Sequence, residues 1–133
     1  MATSQLVKSL ETGAGNGARR QTQTYIAGGT IAAGAVVSWD TSASDDDRNL
    51  KVVACTIEAC IGSALAAASA GERVEVVIKG YAEDVAITGT ITAGESLGSD
   101  ASGALTDAAG GATNIQAVAL EAGASGSCDV CWL

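Results

Sequence analysis

Two cysteine pairs, Cys55/Cys60 and Cys128/Cys131, are the residues in this sequence best suited by type and spacing to chemistry. Four thiolates could form a tetrahedral structural zinc site, and a CxxC at the start of a helix could exchange disulfides. The surroundings argue against both. Cys128-Asp129-Val130-Cys131-Trp132-Leu133 reads as a closing strand. Side chains alternate faces along a strand, so Cys128 and Cys131 point to opposite sides and cannot share a metal. No helix follows them. The expectation is buried, reduced thiols packed as small hydrophobes, with a disulfide or a metal as the alternatives.

The remaining chemistry is sparse. The sequence has no His, which removes His-based triads and imidazole acid–base work. Gly13-Ala14-Gly15-Asn16-Gly17-Ala18-Arg19-Arg20 brushes a dinucleotide fingerprint, but no strand precedes it, no amphipathic helix follows and no Walker lysine is present. Asp45-Asp46-Asp47 could gather Ca²⁺, yet the EF-hand spacing and its closing Glu are missing, so a solvated loop tip is expected. Glu83-Asp84 and Glu72/Glu75 could pose as glycosidase carboxylates. With Tyr25, Tyr81, Trp39 and Trp132 as the only aromatics, no sugar platform accompanies them, and they read as surface charge. No catalytic, cofactor-binding or metal-binding residue is assigned, no cofactor is expected, and the chain is not expected to be an enzyme.

The elements that hold these residues are short. At 133 residues and 13.0 kDa the chain makes one domain. It has 17 Gly and no Pro or Phe, so its core must rest on Val, Ile, Leu and two Trp. Small domains with small side chains are marginal alone, and oligomerisation is the usual remedy. The net charge of −8 repels phosphate backbones, which argues against nucleic acid as a partner. No apolar stretch is long enough to span a bilayer. The first residues, Met1 to Lys8, lack a signal-peptide pattern, so a cytoplasmic site of synthesis is expected.

Residues 1–24 show no hydrophobic period and are Gly-rich in the middle. They read as a flexible arm outside an all-β domain spanning 25–133. Lys8, Arg19 and Arg20 stand beside one acid, Glu11, giving the first 20 residues +2, while the rest (four basic, fourteen acidic) carries −10. Gln21 to Tyr25 alternates weakly and suits an edge or added strand. The arm and its end, Lys8, Arg19, Arg20, Gln21, Gln23 and Tyr25, are the candidate partner-binding residues. Strand candidates are 35–39, 50–55, 59–65, 72–78, 82–87, 115–120 and 127–133. In the clearest, Val74, Val76 and Ile78 share a face. With Trp39 and Trp132 they are the candidate core or interface residues. Ser63 to Ala70 has helix propensity but is read as strand plus turn.

An internal repeat orders these strands. Gly29-Thr30-Ile31-Ala32-Ala33-Gly34 matches Gly89-Thr90-Ile91-Thr92-Ala93-Gly94 at five of six positions, and the offset of 60 still holds at Asp40/Asp100 and Ser42/Ser102. Ala64-Leu65 before Gly71 then matches Ala119-Leu120 before Gly126, at an offset of 55. Each Ile-x-Ala-Gly sets an apolar anchor before a turn whose Gly takes positive φ. A strand, an Asp/Ser/Gly tip, a strand ending Ala-Leu, an Ala-rich turn and a closing strand follow. Two such units make a small sandwich or barrel.

This grammar resembles the capsid decoration (cement) proteins of tailed phages with the β-tulip fold. Ile31 to Asp40, Ile61-Gly62-Ser63-Ala64-Leu65, Gly71 to Gly80, Ile91 to Gly103 and Ala117 to Ala122 carry the match. The resemblance implies an all-β, β-tulip-like domain and homotrimers on the outer surface of an icosahedral head, where they bind and stabilise the major capsid protein. It implies neither nucleic-acid nor membrane partners, and no catalytic residues. The four cysteines and the long Gly-rich N-terminal segment depart from the family pattern. The competing reading is a virion-surface adhesin or fibre-like module that recognises host glycans, for which the loop Asp40 to Asn49 is the candidate site.

Overall fold

The computed structural model describes residues 20–44, 47, 50–56, 59–107, 114–124 and 126–133. Its described residues contain eleven strands and no helix: β1 (Arg20–Ala27), β2 (Val36–Trp39), β3 (Lys51–Ala54), β4 (Gly62–Ala64), β5 (Arg73–Ala86), β6 (Thr90–Ile91), β7 (Ser96–Ser99), β8 (Leu105–Asp107), β9 (Ala117–Ala119), β10 (Gly123–Ala124) and β11 (Ser127–Trp132). The chain is all-β, as the short punctuated runs required.

Nine strands form one sheet in the order β1-β3-β2-β4-β5-β11-β9-β7-β8, and β1 also pairs with β5. That extra pairing closes β1, β3, β2, β4 and the first part of β5 into a ring. The second part of β5, with β11, β9, β7 and β8, makes a second ring, closed by a parallel bridge from Ile87 to Leu105. The two rings are the two copies of the repeat. The parallel contact Ala27↔Val52 in the first answers Ile87↔Leu105 in the second. The bridge Ile31↔Ala68 answers Ile91↔Gly123.

The turns repeat as well. Gly34 and Gly94 sit at φ +79° and +88°, and their N–H groups donate to the carbonyls of Ala64 (2.9 Å) and Ala119 (2.8 Å). Positive φ is cheap only without a Cβ, which is why both anchors end in Gly. At the strand tips, Asp40 accepts from the Ser42 N–H at 3.0 Å and Asp100 from the Ser102 N–H at 2.8 Å. These are Asx-type turns of equal geometry at offset 60.

The buried side chains form two clusters. One lies within the first ring and includes Tyr25, Ile31, Val37, Val52, Val74 and Val76. The other fills the second and takes in Ile87, Ile91, Leu97, Leu105, Val130 and Trp132, together with Val36 and Val77 from the outer face of the first. The adjacent pairs Val36/Val37 and Val76/Val77 therefore serve different cores, as period-2 alternation dictates. The continuous apolar run Val76-Val77-Ile78 arises because β5 is packed on both faces here.

The structure differs from the sequence reading at three places. Residues 72–78 and 82–87, expected as separate strands, belong to one 14-residue strand, β5; Gly80 (φ +89°) and Asp84 (φ 50°) bend it without ending it. The arm boundary expected at residue 24 falls inside β1, whose Arg20–Thr24 pairs antiparallel with β5 from Gly80 to Glu75. Trp39, expected in the core or at an interface, lies outside the core. It lies at the end of β2, is 40% exposed, and meets Tyr25 edge-on at a centroid distance of 5.4 Å. The residues that follow it, Asp40 to Ser42, form a solvent-facing turn.

Candidate binding surface

Strand β1 begins exposed and ends buried. Gln21, Thr22, Gln23 and Thr24 are exposed, and Gln21 and Gln23 pair with Lys79 and Val76 of β5. Tyr25, expected among the partner-binding residues, is instead buried opposite Val74. Burial also pushes its hydroxyl pKa up. It is a core residue because it stands where β1 turns into the first ring. Arg20 is half-buried, and Lys8 and Arg19 lie outside the described residues. Val74 and Val76 are buried, Ile78 is half-buried, and Trp132 is 3% exposed, its indole N–H donating to Ser63 Oγ at 3.1 Å.

Beside the start of β1, at the seam of the two rings, is a cavity of about 330 Å³ lined by Arg20, Gly34, Ser63, Leu65, Glu83 and Asp84 among others. Asp84 holds a left-handed backbone (φ 50°), and its N–H donates to Asp129 Oδ1 at 3.1 Å. Asp129 Oδ2 accepts from the Tyr81 hydroxyl at 3.1 Å, and the Asp129 N–H donates to Glu121 Oε1 at 3.1 Å. Burial first, then the hydrogen bond to Asp129, pushes Tyr81 up to about 12. The result is an acidic rim around Tyr81, with Arg20 the one basic residue among those lining the cavity.

The cysteines divide as alternation requires. Cys128 shares the buried face of β11 with Val130 and Trp132, and Cys131 lies on the other face with Asp129. Cys55 is fully buried and its Sγ is 3.0 Å from Ser99 Oγ. Half-buried Cys60 is clamped by Gln116, which accepts from its thiol (2.7 Å) and its N–H (3.3 Å) and donates to its carbonyl (2.8 Å). The calcium candidate is only partly described: Asp47 pairs with Lys51 at 3.3 Å, and Asp45 and Asp46 lie outside the described residues.

Two features escaped the sequence reading. The Tyr81–Asp129–Asp84 network joins strands too far apart in sequence for spacing to reveal. Leu65 and Leu120, both exposed, occupy one position in the two repeats, each donating its N–H to β5 or β11, at the carbonyls of Glu75 and Asp129. The Ala-Leu repeat carried that signal, but apolar type alone suggested burial.

No protein-family model and no curated protein matches the chain. Among solved structures it is similar to the N base of the head fiber protein gp8.5 of bacteriophage phi29, with a TM-score of 0.61 at 17% identity, covering 85% of this chain and 92% of that one. The likeness is one of fold.

Proposed function

We propose that the chain is a structural virion protein of a tailed phage, seated on the outside of an icosahedral head, where it stabilises contacts between major capsid protein subunits. The observation that carries this reading is the agreement of two independent signals. The duplicated Ile-x-Ala-Gly grammar resembles capsid decoration proteins, and the three-dimensional neighbour is the base of a head fibre. The chemistry is compatible: the described surface offers turns, an edge strand and carboxylates, with no nucleophile–base pair at its cavity. On this reading the protein is not an enzyme and acts through binding alone, with the β-tulip-like domain as a homotrimer and residues 1–19 as its docking segment.

A second reading is favoured by the same neighbour. On that reading the domain is the base of a fibre-like module, and recognition of host glycans falls to its loop Asp40 to Asn49. Heads of the phage that encodes this chain separate the two. Purified protein added to heads lacking it should appear as regular density on the outer surface in cryo-electron microscopy and raise the temperature at which the heads rupture. Regular density without any gain in rupture temperature favours the fibre-base reading; no association with heads refutes both.

A further inference from the structure

The two copies of the repeat touch at the seam, and the contact runs one way. One wall of the seam cavity is the first copy's Gly34 turn with Ala64 and Leu65; the other is Ala82, Glu83 and Asp84, from the strand that opens the second copy. Gly34 is buried there. Its carbonyl accepts from the Ala86 N–H at 2.9 Å, and the Asp84 carbonyl occupies the space a Cβ would need. The second copy builds the same wall. The Ala119 N–H donates to the Glu95 carbonyl at 2.9 Å as Ala64 does to Ala35 at 3.0 Å, and Leu120 stands exposed where Leu65 does. Yet no described residue covers this second wall: Gly94 is exposed, and a Cβ on it meets nothing within 4 Å. By the offset of 60, Gln23 and Thr24 of β1 match Glu83 and Asp84, and both are exposed. A twofold between the copies would have brought Thr24 onto Gly94. The contact is instead head-to-tail, a kind that can pass from one molecule to the next.

We propose that a second copy of this chain seats the start of its β1, Gln23 and Thr24 foremost, on the wall formed by Gly94 and Leu120, repeating between molecules the seam found within one. This deepens the homotrimer of the proposed function and rests on it only for the number of copies that close the ring. Charge favours the pairing: Glu95 and Glu121 flank the wall, while β1 carries Arg20 and no acid. Leu120, 48% exposed, is the apolar surface that the contact covers. The joint is weaker than the seam. Ile26, which matches Ala86, already gives its N–H to the Leu50 carbonyl at 2.8 Å, so the bond from Ala86 to Gly34 has no counterpart between molecules. Copies joined in this way separate on dilution.

The test uses the full chain in solution without heads, so its failure is separate from failure of the virion reading. Raising wild type from nanomolar to high micromolar concentration should produce association by sedimentation and slow deuterium exchange around Thr24 and around Gly94 in parallel. Thr24→Glu sets a carboxylate against Glu95 and Glu121, and Leu120→Asp makes the wall itself acidic. Each should weaken self-association by about tenfold or more while leaving the thermal midpoint of the dilute protein unchanged. Each variant keeps the surface that the other has lost, so an equal mixture should form 1:1 dimers and nothing larger. Wild type that stays monomeric throughout would overturn the proposal, as would either variant assembling like wild type or a mixture that gains no dimer. Protection at Gly94 that is the same at every dilution would assign the wall to a segment of the molecule's own chain and refute it equally. Should a variant fold poorly, the paired exchange of wild type decides alone.

Discussion

At the scale of single residues, Trp132 has the largest consequence. It is buried one position from the end of the described chain, and its N–H is held by Ser63 of the other ring. Trp132→Ala should destabilise by about 3–5 kcal/mol, the usual cost of truncating a core aromatic. Ser63→Ala, which leaves the indole N–H buried and unpaired, should cost about 1–3 kcal/mol. Urea denaturation midpoints measure both, and equal midpoints for wild type and Trp132→Ala would show that the end of β11 is frayed. Asp100 gives the pH dependence. Burial opposes its charge, but hydrogen bonds from Ser102, Thr88 and Ala104 outweigh burial and hold its carboxyl below the usual range. A depressed folded pKa means stability that is present above the unfolded value, about 4, and lost as pH falls through the folded one. Thermal midpoints should therefore drop below about pH 4, and Asp100→Asn should be less stable at neutral pH with a shallower acid limb. Burial of Trp132 and the alternation of Cys128 and Cys131 were legible from sequence, since both follow from one strand. The exposure of Trp39 and the burial of Tyr25 were not legible, because exposure there depends on which residues close over a ring mouth.

At the scale of elements, the two copies of the repeat invite a matched comparison. Gly34 and Gly94 share their backbone conformation, yet a Cβ at Gly34 would collide with the Asp84 carbonyl, while one at Gly94 meets nothing within 4 Å. Gly94→Ala should cost about 1–2 kcal/mol, for the left-handed backbone alone. Gly34→Ala adds overpacking against β5 and should cost about 3 kcal/mol more, or prevent folding. Similar melting curves for the two variants would mean that the seam between the rings relaxes freely. The repeat itself was readable because its Ile-x-Ala-Gly turn needs particular residues in each copy. The strands it joins were less so. β6, β7, β8 and β10 are two to four residues long and contain Ser, Thr, Gly and Asp, types that sequence patterns assign to loops. The continuity of β5 was hidden by Gly80 and Asp84, which punctuate the sequence but only bend the strand.

At the scale of the whole molecule, the proposed assembly predicts a trimer: sedimentation equilibrium of the full chain at micromolar concentration should give the mass of three protomers. A monomer in solution that is also monomeric on heads would sink that expectation. Because β1 starts at Arg20, deleting residues 1–19 should preserve the fold and the trimer while reducing occupancy on heads. Full decoration by the truncated protein would move docking onto the β body. Charge reversal at Arg20 should weaken binding more at low than at high salt if its cation serves the partner. Beyond assembly, one feature governs how the chain comes apart. The 14-residue strand β5 completes the first ring with its first part and opens the second with its last, and Val77 from its middle packs into the second core. A duplicated sequence ordinarily suggests two units able to melt one after the other. Here neither half possesses a boundary strand of its own, so opening either ring pulls a wall out of the other. Amides of β2 and β7 should consequently exchange with deuterium through the same global opening, at one shared free energy, although they belong to different copies of the repeat.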